Sequence, residues 1–151
     1  MSRISLIYQA GALKSYFPNS QVTRIGEKEI TWIGQVTPSP LSHTYTIKLH
    51  YRLSEVPKVY VIDPQRLTLA KGKTTLPHVY STPLQRLCLY YPADKEWNSS
   101  MYYVHTLIPW ACEWLYHYEI WAATGTWNGG GIHHETEAEK QLNKLKEKTD
   151  E

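Results

Sequence analysis

The sequence predicts an α+β domain built from an N-terminal helix, an antiparallel four-stranded meander, a long loop and C-terminal helices. Three observations carry that prediction. Apolar residues recur at helical spacing near the N-terminus, alternating runs with short links follow, and a Trp- and Tyr-rich segment returns to helical spacing after a stretch with no period.

Ile4, Ile7, Ala10 and Leu13, with Leu6 nearby, follow the helical repeat until Pro18-Asn19-Ser20 stops it, which predicts a first helix of about four turns. QVTRI at 21–25, closed by Gly26, predicts a short strand. EITWIGQV then sets Ile30, Trp32, Gly34 and Val36 on one side, and TYTIKLHY sets Tyr45, Ile47, Leu49 and Tyr51 against Thr46, Lys48, His50 and Arg52. PKVYVIDP at 57–64 is the next such run. The links carry Pro38, Ser39 and Pro40, or Ser54, Glu55 and Pro57, and short links between successive strands favour an antiparallel meander.

From Ile62 to Trp97 the period disappears among Pro64, Gly72, Pro77, Pro83 and Pro92, and a loop of that length within one domain points to function. Asn98 or Ser99 is placed to cap a helix that Pro109 would break or kink. WACEWLYHYEIWAA continues it with Trp110, Trp114, Leu115, Tyr118 and Trp121 as a broad apolar face, ended by Gly125. TWNGGGIHH is a glycine-rich turn, expected to lie beneath the loop, and 135–151 is a charged tail, a marginal helix or disordered. The folded domain is therefore expected at 1–134.

A chain of 151 residues is the size of one domain and buries a core without staples. Twelve Tyr and six Trp against one Phe give that core many rings whose OH or NH needs a partner. A formal charge of +2 argues neither for a strong nucleic-acid footprint nor for an acidic partner, and no nucleic acid is expected. Two cysteines make no secreted disulfide framework, and MSRISLIYQAG lacks the apolar run of a signal peptide, so a cytoplasmic location is expected. Residues 103–122 are long enough to cross a bilayer, but His105, Glu113, His117, Glu119 and Pro109 within them point to a buried helix and no membrane.

The two cysteines differ in setting. Cys112 sits within the apolar helix and reads as packing. Cys88 follows the proline-containing loop and precedes Tyr90, Tyr91 and Pro92; it is either a small buried hydrophobe between Leu87 and Leu89 or a reactive thiol beside a groove. His78 stands ten residues ahead of it, in LPHVYS.

A histidine, nine intervening residues, a cysteine followed by leucine, and then a tryptophan before a helix resemble the active-site segment of ubiquitin-conjugating enzymes, and the order of elements agrees with that fold. Together, LPHVYS, LCLYYPADKEW and IPWACEWLYHYEIWAATGTWNGGGIHH are similar to a bacterial branch of it, encoded in anti-phage cyclic-oligonucleotide (CBASS) signalling operons. The likeness spans roughly residues 1 to 134.

The resemblance implies a transferase. Cys88 would carry a thioester with the C-terminus of a protein partner, a cGAS-like nucleotidyltransferase, and pass the acyl group to a protein or small-molecule amine. His78 would correspond to the histidine of the family's His-Pro-Asn turn. The rest of that turn departs from the pattern: Pro77 precedes the histidine, Val79 takes the proline position and Tyr80 the asparagine position, where its OH can donate one hydrogen bond.

Cysteine suits such chemistry because even about 3% thiolate at neutral pH is nucleophilic enough for acyl exchange. The incoming lysine is the harder partner, being almost wholly protonated. Asp94 and Glu96 are candidates for orienting it, or else belong to a solvated loop with Lys95. His78 has three readings: a structural histidine bonding the loop backbone, the base of a Cys-His hydrolase with Asp63 or Asp94 as orienter, or a metal ligand. A non-catalytic adaptor of the same fold is the remaining rival. No cofactor is expected, and no metal: His133 and His134 with Glu135 and Glu137, even joined by Glu113 and His117, match no common zinc spacing.

Overall fold

The first helix, α1, runs Leu6–Tyr16 in a computed structural model that describes residues 2–91 and 95–129. Its inward face is Leu6, Gln9 and Leu13; of the expected Ile4, Ile7, Ala10 and Leu13 stripe with Leu6 nearby, Leu6 and Leu13 are buried while Ile7 is 55% exposed. An apolar count overlooks Gln9, which is buried because its amide is fully used. Nε2 donates to the Met101 carbonyl at 3.0 Å and Oε1 accepts the Tyr103 N–H at 3.1 Å. The helix has no local side-chain cap. Instead the Glu27 carboxylate accepts the Leu6 and Ile7 N–H groups at 2.7 and 3.1 Å, where the helix dipole favours negative charge.

The meander is as expected: β1 (Gln21–Ile25), β2 (Glu29–Val36), β3 (Tyr45–Arg52) and β4 (Lys58–Asp63) pair antiparallel in sequence order. The period of two sets the buried face, with Ile30, Trp32 and Val36 on β2, Tyr45, Ile47, Leu49 and Tyr51 on β3, and Val59 and Val61 on β4. Each fully buried aliphatic side chain contributes about 1.5–3 kcal/mol. Trp32 lies back over its own strand, so a Cβ at Gly34 would overlap the indole. Its Nε1–H donates to Ser20 Oγ at 2.8 Å.

The long loop is more ordered than expected. It contains a small hairpin, β5 (Val79–Ser81) and β6 (Arg86–Leu87), which joins the far edge and makes the sheet six-stranded, in the order β1-β2-β3-β4-β6-β5. Strands of three and two residues are too short for alternation to register. They are held by Gln85, buried at 3% exposure. Its Nε2 donates to the carbonyls of Val61 and Pro64, both at 2.9 Å, and its Oε1 accepts the Leu67 N–H at 2.6 Å.

The C-terminal part also differs from expectation. Asn98 caps a turn, accepting the Ser100 N–H at 2.9 Å, and a 3-10 turn at Tyr103–His105 precedes one continuous α-helix, α2 (Leu107–Thr124). Pro109 does not break it. As the third helical residue it lies in the first turn, where a backbone N–H would have no intrahelical acceptor. The expected left-handed exit is present, with Gly125 at φ 80° and its N–H on the Trp121 carbonyl at 2.7 Å. Leu107, Ile108, Ala111, Trp114, Leu115, Tyr118 and Trp121 bury one face of α2 in the core shared with the sheet.

At its far end the Glu119 carboxylate accepts the Ser42 and Tyr45 hydroxyls, at 2.5 and 2.8 Å. Among the described residues no helix is long and apolar enough to cross a membrane. The charged tail at 135–151 and His133 and His134 lie outside the described residues.

Candidate active site

The ten-residue interval between His78 and Cys88 is the length of a hairpin. Val79 pairs with Leu87, and one step further out the Cys88 N–H donates to the His78 carbonyl at 3.0 Å. The same carbonyl accepts the Trp114 indole N–H at 3.0 Å, so α2 grips the hairpin at the point that faces the cysteine. This double anchor matters because His78 is left-handed, at φ 49°. For a residue with a Cβ that conformation costs about 1–2 kcal/mol, and two hydrogen bonds on one carbonyl offset it. Both bonds are made by the His78 main chain; its imidazole packs against the Trp127 ring at 4.9 Å between centroids.

Cys88 is only 5% exposed, as its reading as a small buried hydrophobe expects, while Cys112, read as packing, is half-buried. The Cys88 backbone closes β6, and the side chain lines a narrow cleft of about 40 Å³, room for little more than water. Trp110, Glu113, Trp114 and His117 form one wall, spaced i, i+3, i+4 and i+7 along α2. Trp127 and Gly129 form the other. The Trp127 ring lies 4.9 Å from His78, 5.7 Å from Trp114 and 5.8 Å from His117, centroid to centroid. Gly129 comes so close to His117 and Trp127 that a Cβ there would stand 2.6 Å from the Trp127 Nε1. The start of the glycine-rich turn therefore lies against the cysteine, as the sequence suggested. His117 Nδ1 and Trp127 Nε1 are buried and have no hydrogen-bond partner among the described residues.

Tyr80, at the position where the resemblance expects asparagine, approaches the sulfur from the other arm of the hairpin. Its hydroxyl hydrogen-bonds to the Cys88 side chain and lies 3.5 Å from the Tyr90 carbonyl. Burial, followed by the neighbouring Cys88, holds the phenol well above its ordinary pKa, so the phenol remains a proton donor. Burial likewise pushes Tyr90 up to about 12. The Cys112 thiol is raised by burial and then by Glu113, which keeps it protonated and inert.

The remaining candidates separate. Glu96 is exposed and does not line the cleft, Asp63 is exposed at the end of β4, and Asp94 lies outside the described residues. No cluster of His, Cys, Asp and Glu that could hold a metal occurs among the described residues. Sequence reasoning placed the turn that contains Trp127 beneath the site but did not connect Glu113 and His117 with the cysteine. The α2 pair was legible as a helical stripe with Trp110 and Trp114, but nothing in the sequence showed which way the stripe faced.

Among the described residues, a six-stranded antiparallel sheet, two α-helices and a cysteine in an aromatic cleft beside a hairpin make an α+β protein. The chain belongs to the Type II CBASS E2 protein family, whose family model matches residues 9–135. A search of curated proteins finds no match.

Proposed function

We propose that this is a protein transferase of the ubiquitin-conjugating fold that carries an acyl group on Cys88 and delivers it to an amine. The observation that carries the reading is the convergence at one sulfur of the hairpin, the Tyr80 hydroxyl and the cleft. Membership of the CBASS E2 family supports it.

In this scheme the Cys88 thiolate attacks the carbonyl carbon of an activated C-terminus, such as an acyl adenylate or another thioester, and expels its leaving group. An amine then attacks the new thioester carbonyl. The C–N bond forms, the C–S bond breaks, the sulfur departs as thiolate and the amine loses its proton to solvent. Tyr80 donates to the sulfur, and His78 holds the hairpin through its carbonyl. The acyl donor is the C-terminus of a cGAS-like nucleotidyltransferase, and the outcome is regulation of anti-phage signalling in the cytoplasm. Cys88 is 5% exposed and its cleft, about 40 Å³, is too narrow for a peptide end, and that observation favours the non-catalytic adaptor as the second reading.

The test uses the full chain with its operon partners. Intact-mass analysis before and after reductant should find a thiol-sensitive adduct that Cys88→Ala abolishes and Cys112→Ala retains. Cys88→Ser should trap an ester instead. Recovery of only a hydrolysed partner tail would replace this reading with the thiol hydrolase, and absence of any adduct would leave the adaptor.

A further inference from the structure

Arg86 precedes Cys88 by two residues on an extended chain. Its guanidinium carbon lies 4.3 Å from the centroid of the Tyr80 ring, the same ring whose hydroxyl hydrogen-bonds to the Cys88 side chain. Among the described residues no carboxylate forms an ion pair with Arg86. Its Nε is buried and has no hydrogen-bond partner among them. Among the described residues this cation has no carboxylate partner, and what lies beside it is the ring of Tyr80, a residue 48% exposed.

A positive charge over a ring face draws on the ring's negative quadrupole and makes the phenolic O–H a stronger donor. The guanidinium seated over the ring also limits how the ring, and with it the O–H, can turn. We infer that Arg86 is a positioning residue for chemistry at Cys88: it holds Tyr80 so that the hydroxyl reaches the sulfur, and its charge, acting through the ring, favours the thiolate. The inference rests on the acyl-transfer reading of Cys88 and adds to it the residue that makes tyrosine a working donor at this position.

The other ionisable groups around the sulfur are Tyr90 just beyond it, His78 across the hairpin, and Glu113 and His117 from α2. Glu113 opposes the thiolate and His117 favours it when protonated. Both are unchanged in the variants below, so their influence is common to every measurement.

The experiment follows alkylation of Cys88 by iodoacetamide as a function of pH in the full chain carrying Cys112→Ser. Arg86→Gln should raise the midpoint by about half a pH unit, the equivalent of one exposed cation–π contact, and slow alkylation at neutral pH about threefold. Arg86→Lys keeps the charge and should restore most of the shift. Tyr80→Phe should raise the midpoint by itself, and adding Arg86→Gln to it should change little further.

An unmoved midpoint in Arg86→Gln overturns the inference. So does a shift that adds fully to that of Tyr80→Phe, or a lysine variant that behaves like glutamine. Should Arg86→Gln fail to fold, the lysine and Tyr80→Phe variants decide by the same criteria. No partner protein takes part, so failure here is distinct from failure of the acyl-transfer reading, which the adduct experiment reports.

Discussion

The β1–β4 meander and the β5–β6 hairpin belong to one antiparallel sheet, yet they are held in different ways. In the meander, alternate side chains enter the core and ordinary ladders pair every strand, so the burial pattern on β3 is a plain alternation. In the hairpin two non-glycine residues, His78 at φ 49° and Gln85 at φ 53°, are left-handed, and polar side chains secure it: Gln85 bonds the Val61 carbonyl of β4, and Trp114 of α2 bonds the His78 carbonyl. The comparison teaches that a site needing an unusual backbone is stabilised by specific hydrogen bonds, whereas a scaffold is stabilised by apolar area.

The largest expected effect would break that contrast if it failed. Gln85→Leu, close in volume, removes three buried hydrogen bonds and should cost about 3 kcal/mol, against about 1 kcal/mol for Ile47→Val in the meander. Urea unfolding of the two variants measures the difference, and equal losses would mean that the hairpin too rests on packing.

Next comes the cleft wall. Trp127→Ala removes the ring that covers His78 and Trp114 beside Cys88, and should speed alkylation of Cys88 about tenfold, corresponding to a barrier lower by about 1.4 kcal/mol. An unchanged rate by mass spectrometry would show that Trp127 is not what shields the sulfur.

The smallest effect belongs to the scaffold's exposed edge. Glu29 is held below its ordinary value near 4.5 by hydrogen bonds from His50 first and Arg52 second. A folded pKa below the unfolded one gives stability that is present above that ordinary value and lost as pH falls through the folded pKa. Glu29→Gln should therefore lower Tm slightly at neutral pH and converge on the parent chain as pH falls below the folded pKa; a loss that persists or grows at acid pH would contradict the assignment.

Legibility follows the same division. All four meander strands could be read from the sequence because a half-buried strand reports its environment through a period of two. The α1 face was misread because Gln9, a polar residue, occupies an inward position that apolar counting assigns to solvent. Pro109 suggested a break because its effect depends on position within the helix, and that position was set by a start at Leu107 which lacks a side-chain cap. Cys88 and His78 were legible as a spacing, but the reason for the spacing, a hairpin with strands of three and two residues, was not.

By itself the sequence determined the scaffold of this protein: an α+β fold, its strand order through β4, the long aromatic helix with its glycine exit, and a cysteine ten residues beyond a histidine. Those properties are local, each residue's preference depending on neighbours a few positions away. Only the tertiary structure decided that Gln85 pins the hairpin, that Trp114, His117 and Trp127 surround the sulfur, and that Arg86 and Tyr80 stack beside it. These contacts join segments distant in the chain, and a hydrogen bond or ring contact between them leaves no period in the sequence for either partner to betray.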